Sequence, residues 1–168
     1  MPVDAAGDAA HTLVLALGNP LRGDDGVGAA VLNALNASGS VPPGVHLVDG
    51  GTPGLETALL LQGYRRVLVV DAADMGQPPG AWMRFAPGEA RLVPGNLAQM
   101  GTLHSAGLAE ALALGEALGI LPAKVVIFGV QPLEVGWLPD LSPPVAEAVP
   151  AVSAAILDEL RRETGRSN

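Results

Sequence analysis

Four short apolar runs, at residues 13–17, 45–48, 67–70 and 125–128, constrain this chain more than anything else in it. The first, third and fourth are nearly continuous and mostly Val, Leu or Ile. A strand can be apolar on both sides only where both faces of its sheet are covered, which is how parallel sheets flanked by helices read. The stretch 81–85 (Ala-Trp-Met-Arg-Phe) alternates instead and follows Pro78-Pro79-Gly80, which predicts an antiparallel strand at an edge.

Helix-like segments separate the runs. One follows Asp24-Asp25, continues over 26–35 and ends near Gly39. A second is expected to start at Thr52-Pro53, with Thr as N-cap and Pro in the first turn, to carry Leu55, Leu59 and Leu60 and to stop at Gly63. A third is expected from Ser105 through Leu108, Leu112 and Leu118 to Gly119, with Ser105 as a helix cap. The last covers roughly 151–163. Val152, Ile156, Leu157 and Leu160 share one of its faces, and Arg161-Arg162 suit the negative end of its dipole. The alternation predicts the α/β class: a three-layer α/β/α sandwich on a mostly parallel sheet of about five strands, with one antiparallel edge strand. One domain over 1–168 is expected, with 1–11 as a flexible N-terminus.

Composition removes several classes of function. Nine basic residues against 17 acidic ones give a net charge of −8, and the densest basic pairs are Arg65-Arg66 and Arg161-Arg162. Binding to nucleic acid or to an anionic membrane is not expected of such a surface. The absence of cysteine excludes disulfides, thiolate metal sites and a Cys nucleophile, and fits a cytoplasmic protein. Residues 1–11 carry two aspartates and no basic residue, the wrong charge for a signal peptide. No run approaches the roughly 18 apolar residues of a membrane span.

In open parallel sheets, ligands bind beyond the carboxyl ends of the strands. Asp24 and Asp25 follow the first run, Asp49 ends the second, Asp71 closes the third, and His104 opens the third helix. One carboxylate suffices to cap the helix after the first run, and Asp24 is expected to be that cap, which leaves Asp25 to face the cleft. Asp49, before Gly50-Gly51, reads as a turn residue. Asp71 closes an apolar run where desolvation is costly without a cation or donors, which points to function. The positive end of a helix keeps an imidazole neutral, with a lone pair free for a metal, so His104 joins the set; His11 and His46 read as structural. The chain has no Gly-Lys-Ser/Thr phosphate loop, no G-x-G-x-x-G, no G-x-S-x-G and no Asp-Thr-Gly or Asp-Ser-Gly. Two carboxylates and one imidazole suit a divalent ion such as zinc, nickel or manganese.

The stretch Leu17-Gly18-Asn19-Pro20-Leu21-Arg22-Gly23-Asp24-Asp25-Gly26-Val27-Gly28 resembles the opening motif of the hydrogenase maturation endopeptidases. The likeness continues in order through Asp49-Gly50-Gly51-Thr52, Val69-Val70-Asp71-Ala72, His104-Ser105-Ala106-Gly107-Leu108 and Gly129-Val130-Gln131-Pro132. The resemblance implies an endopeptidase, on a phosphorylase/hydrolase-like sandwich, that removes a short C-terminal extension from a nickel–iron hydrogenase large-subunit precursor once nickel is inserted. It implies that Asp25, Asp71 and His104 are both the metal-associated and the catalytic residues. Some members carry Glu where this chain has the shorter Asp25. Nickel is expected to arrive with the precursor, and no tightly bound cofactor is expected. A monomer is expected, with the nickel-loaded precursor as its partner.

Chemistry leaves two routes open. The metal polarises the scissile carbonyl or a bound water, or Asp25 or Asp71 acts as general base while the metal anchors. The rival readings are a nickel-dependent escort that does not cut and a metal-dependent hydrolase of small peptides.

Overall fold

The computed structural model describes residues 12–92 and 103–164, with side chains described over 12–89 and 107–162. The predicted flexible segment 1–11 lies outside the described residues. Five strands, β1 (Thr12–Ala16), β2 (Val45–Asp49), β3 (Arg66–Ala72), β4 (Trp82–Phe85) and β5 (Lys124–Val130), pair in the order β2-β1-β3-β5-β4. The β1–β2, β1–β3 and β3–β5 pairings are parallel, and β4 runs antiparallel to β5 at the edge, as its alternation predicts. Every residue of β1 and β3 is buried, whereas β2, at the other edge, is half-exposed.

The period-two pleat sorts the apolar runs into two cores. Val14, Leu68, Val70, Val126 and Phe128 pack under α1 (Val27–Ser38) and α4 (Pro143–Thr164). Leu13, Leu15, Val67, Val69 and Ile127 pack with Leu61 of α2 (Thr57–Leu61) and Leu108 of α3 (Leu103–Ala117). The three layers follow directly. Among the described residues no helix is long and apolar enough to cross a membrane.

Helix stops agree better with sequence than helix starts. Gly39 ends α1 in the left-handed conformation, with φ of 64°. By contrast α2 begins at Thr57, not at Thr52-Pro53. The residue before a proline is biased away from helical geometry, and Thr57 Oγ1 accepts the Gly54 N–H at 3.0 Å, so 52–56 stays outside the helix, with a turn at 55–56 leading into it. Leu118 lies past the end of α3 and is exposed. The helix is already formed at Leu103, so Ser105 sits within its first described turn instead of capping it.

The last helix starts eight residues before the expected 151 and contains Pro150. Pro143 and Pro144 open it, where their missing N–H groups are harmless. Pro150 removes one helical hydrogen bond. Yet Val145, Ala148, Val152 and Ile156 are all buried, so one apolar stripe continues through the proline and packing holds the helix together.

At the amino-terminal end of the sheet α4 is tied by charge. Glu159 is buried and accepts Arg84 Nε and Nη2, each at 2.8 Å, with Lys124 Nζ at 3.3 Å. Arg66, also buried, donates to the carbonyls of Glu159 and Leu160 at 3.1 and 3.5 Å. The Arg84 hydrogen bonds lower the Glu159 carboxyl from 4.5 to about 2. A lowered carboxyl stabilises the fold above its unfolded value and loses that contribution as pH falls through the folded one. The cation side chains are 43% and 42% exposed, so solvent screens part of the gain. Glu159→Gln is therefore expected to cost about 1–2 kcal/mol at neutral pH in urea unfolding. The deficit should close as pH falls from 4.5 towards about 2.

Candidate active site

The chain leaves β1 through α1 to reach β2, then returns past β1 through α2 to β3, so the winding reverses between β1 and β3. Such a reversal opens a crevice at the carboxyl ends of the two strands. Leu17 N donates to Val70 O across the fork at 3.0 Å. The start of α1 sits tightly against it: a Cβ on Gly28 would lie 2.7 Å from Leu17 O and 2.9 Å from Val70 O. Only glycine permits that approach.

Asp25 enters the crevice from the turn after β1. Its Oδ2 accepts the Asn19 N–H at 2.8 Å, and it is 2% exposed. Gly18 has φ of +114°, and a Cβ there would stand 2.1 Å from Asp25 O and 3.0 Å from Oδ1. The glycine thus makes room for the carboxylate. Asp71, in the last turn of the pleat of β3, shares strand parity with Val67 and Val69, on the face covered by α2 and α3. It is 4% exposed, and its Oδ1 is buried without a hydrogen-bond partner among the described residues. Burial first, and the charge of Asp25 second, push its carboxyl well above the ordinary value, against a smaller opposing pull from the Ala72 N–H. The structure therefore brings Asp25 and Asp71 together.

The third expected member is less completely described. His104 lies in the first described turn of α3, but its side chain is outside the described ones. Gly107, farther along the same helix, approaches so closely that a Cβ would lie 2.5 Å from Pro53 O. That contact sets the start of α3 beside the loop after β2, at the carboxyl edge. Among the described residues, no group of three His, Asp or Glu is placed to hold a metal ion.

Asp24 departs from its expected role. No side-chain cap bond is made at the 3-10 turn Gly23–Gly26 or at α1. Its fully buried carboxylate reaches across to the segment between β5 and α4 instead. There Oδ2 accepts Leu133 N (2.8 Å), Glu134 N (2.9 Å) and Ser142 Oγ (2.8 Å), and Oδ1 accepts Ser142 N (2.7 Å). Burial alone would raise this carboxyl, but the bonds from Glu134, Ser142 and Leu133 outweigh it and hold it below the ordinary value. Asp49 behaves as a turn residue, its Oδ1 accepting Gly51 N at 3.0 Å. His46 pairs with Tyr64 OH at 2.9 Å on the edge strand.

Gln131, named so far only within the Gly129-Val130-Gln131-Pro132 block, directly follows β5. Its Oε1 accepts Met75 N (2.6 Å) and Gln77 N (3.2 Å), and Nε2 donates to Asp74 Oδ1 (3.1 Å). It fixes the loop that leaves Asp71. It stands three residues past the apolar run 125–128, beyond the positions directly after each run.

A model of the hydrogenase maturation protease family matches residues 29–159, well over half of the chain. The HupD hydrogenase expression/formation protein of Bradyrhizobium diazoefficiens is 34% identical over 145 residues, covering 85% of this chain and 74% of that protein. The hydrogenase 2 maturation protease of Escherichia coli is 30% identical over 158 residues, covering 91% of this chain and 92% of the protease. Among solved structures, the hydrogenase maturating endopeptidase HybD from E. coli superposes with a TM-score of 0.80 at 26% identity, covering 91% of this chain and 93% of that one.

The raised Asp71 carboxyl carries a stability consequence. Such a group favours folding below its unfolded value, near 3.8, and loses that contribution as pH rises through the folded value. Asp71→Asn removes the ionisation but keeps the shape. It is expected to raise the melting temperature by about 2–4 °C at neutral pH. The gain over the native protein should vanish as pH falls towards 3.8.

Proposed function

The chain belongs to the hydrogenase maturation protease family, and from that premise we propose that it is the endopeptidase that trims the C-terminal extension from a nickel–iron hydrogenase large-subunit precursor after nickel insertion. Asp25, Asp71 and His104 are its working residues, and nickel reaches them as part of the substrate, with no resident cofactor. The cysteine-free composition supports a cytoplasmic setting; the form proposed is a monomer.

One observation carries this reading: a buried carboxyl oxygen of Asp71 with no partner among the described residues, beside a second buried carboxylate. Such an atom calls for a proton or a cation. A precursor that brings nickel supplies the cation, and the two carboxylates with the imidazole of His104 complete its coordination. A nickel-free precursor would leave the carboxylates opposed and uncompensated, so selection of loaded precursor follows from electrostatics.

For cleavage, Asp71 is the general base. It takes a proton from the attacking water as the C–O bond forms, and returns it to the amine nitrogen as the C–N bond breaks. Asp25, oriented by the Asn19 N–H, would serve as a fixed carboxylate ligand to the substrate's nickel.

Mass spectrometry of nickel-loaded precursor incubated with the pure protein tests the proposal. Loss of a C-terminal fragment is expected; an unchanged mass would leave an escort, and cleavage of short free peptides without any precursor would point to a general hydrolase. Asp71→Asn and His104→Ala should each slow processing by about 10²-fold or more. Asp25→Glu should retain activity and Asp25→Asn should lose it.

A further inference from the structure

Beside the carboxylate pair, two segments run together as a hydrogen-bonded ledge. Gly23 N donates to Leu138 O at 2.8 Å and Asp24 N to Glu134 O at 3.0 Å, while the Asp24 carboxylate clamps the Leu133 and Glu134 N–H groups from below. On this ledge Leu21, Leu133, Trp137 and Leu138 stand exposed, and Trp137 reaches 80%. The second tryptophan, Trp82, packs half-buried against the core near Phe128. Apolar side chains held open on a braced support are characteristic of an interaction surface.

Arg22 adds a polar demand to the same place. Its guanidinium carbon lies 5.9 Å from the Trp137 ring centroid, while its Nε is buried without a hydrogen-bond partner among the described residues. The ledge thus lacks both an apolar cover and an acceptor oxygen. An extended polypeptide supplies the two together, through a side chain and a neighbouring carbonyl or carboxylate. The ledge is also continuous with the candidate active site, because Asp25 N donates to Arg22 O at 3.3 Å. A chain presented to Asp25 and Asp71 has to lie next to it.

We propose that Leu21, Leu133, Trp137 and Leu138, with Arg22 beneath Trp137, dock the C-terminal segment of the precursor next to the scissile bond. The segment lies extended, with a large apolar side chain against Trp137 and an oxygen acceptor on Arg22. Glu134 and Asp140 are exposed on the same loop, so the segment carries at most an isolated carboxylate there, not an acidic run. This assignment rests on the peptidase reading above, and its test separates the two.

Nickel-loaded precursor is the probe, with and without its C-terminal extension. Trp137→Ala should raise KM for processing at least about tenfold with a much smaller change in kcat, and Trp137→Phe should restore most of the loss. The melting temperature should not move, since Trp137 supports nothing in the core. In an Asp71→Asn background, where processing is slow, Trp137→Ala should weaken precursor binding at least about tenfold relative to Asp71→Asn alone. Precursor lacking the extension should bind equally well with either residue at 137. Unchanged KM and binding in Trp137→Ala would overturn the proposal, as would dependence on Trp137 that persists without the extension. If the native protein leaves the precursor uncut, the peptidase reading fails, and the binding comparison still decides the docking assignment.

Discussion

Asp71 is buried at the end of β3 beside Asp25, with one oxygen lacking a donor among the described residues, and this opposes folding. An unpaired carboxylate in an apolar interior costs several kcal/mol unless a proton or cation joins it. The remainder of the molecule offsets that cost. Both faces of the sheet are sealed, with Phe128, Leu13, Leu15 and Ile156 fully buried, and the removal of such side chains typically costs 2–5 kcal/mol each. Charged groups at the opposite end of the sheet are well matched: Glu159 meets Arg84 and Lys124, and Arg66 meets backbone carbonyls. Among the described residues, the electrostatic tension thus lies at the carboxyl-terminal edge.

The loops around that tension are held by neutral geometry and by buried anions that are fully answered. Asp24 fixes the segment between β5 and α4 to the turn after β1, and Gln131 fixes the same segment to the loop after β3. Position at the site is therefore set by residues that have no vacant bonding capacity of their own, beside one that does. Such a division is expected where a few groups must be kept poised and their supports rigid.

Much of this fold was legible because buried parallel strands leave a plain record in sequence. Unbroken aliphatic runs gave the central strands, alternation at 81–85 gave the antiparallel edge, and Gly39 marked the end of α1. Thr52-Pro53 misled because local cap chemistry was satisfied on paper, while the chain there turns against α3 before the helix begins. Pro150 misled in the opposite sense, since tertiary packing carries α4 across a residue that local rules treat as a boundary. At the site, the position of Asp71 after an apolar run announced its burial. The partners of Asp24 did not announce themselves, because they lie 109 to 118 residues away and donate mainly from the backbone. Backbone donors have no residue type to read.

That same separation has a consequence for biosynthesis. A polypeptide emerges from the ribosome amino end first, and early segments wait for later ones. The turn bearing Asp25 is made well before the Ser142 that braces its neighbour, which lies 118 residues from Asp24 along the chain. A nascent chain that has not yet reached Ser142 therefore lacks part of the brace that holds this turn.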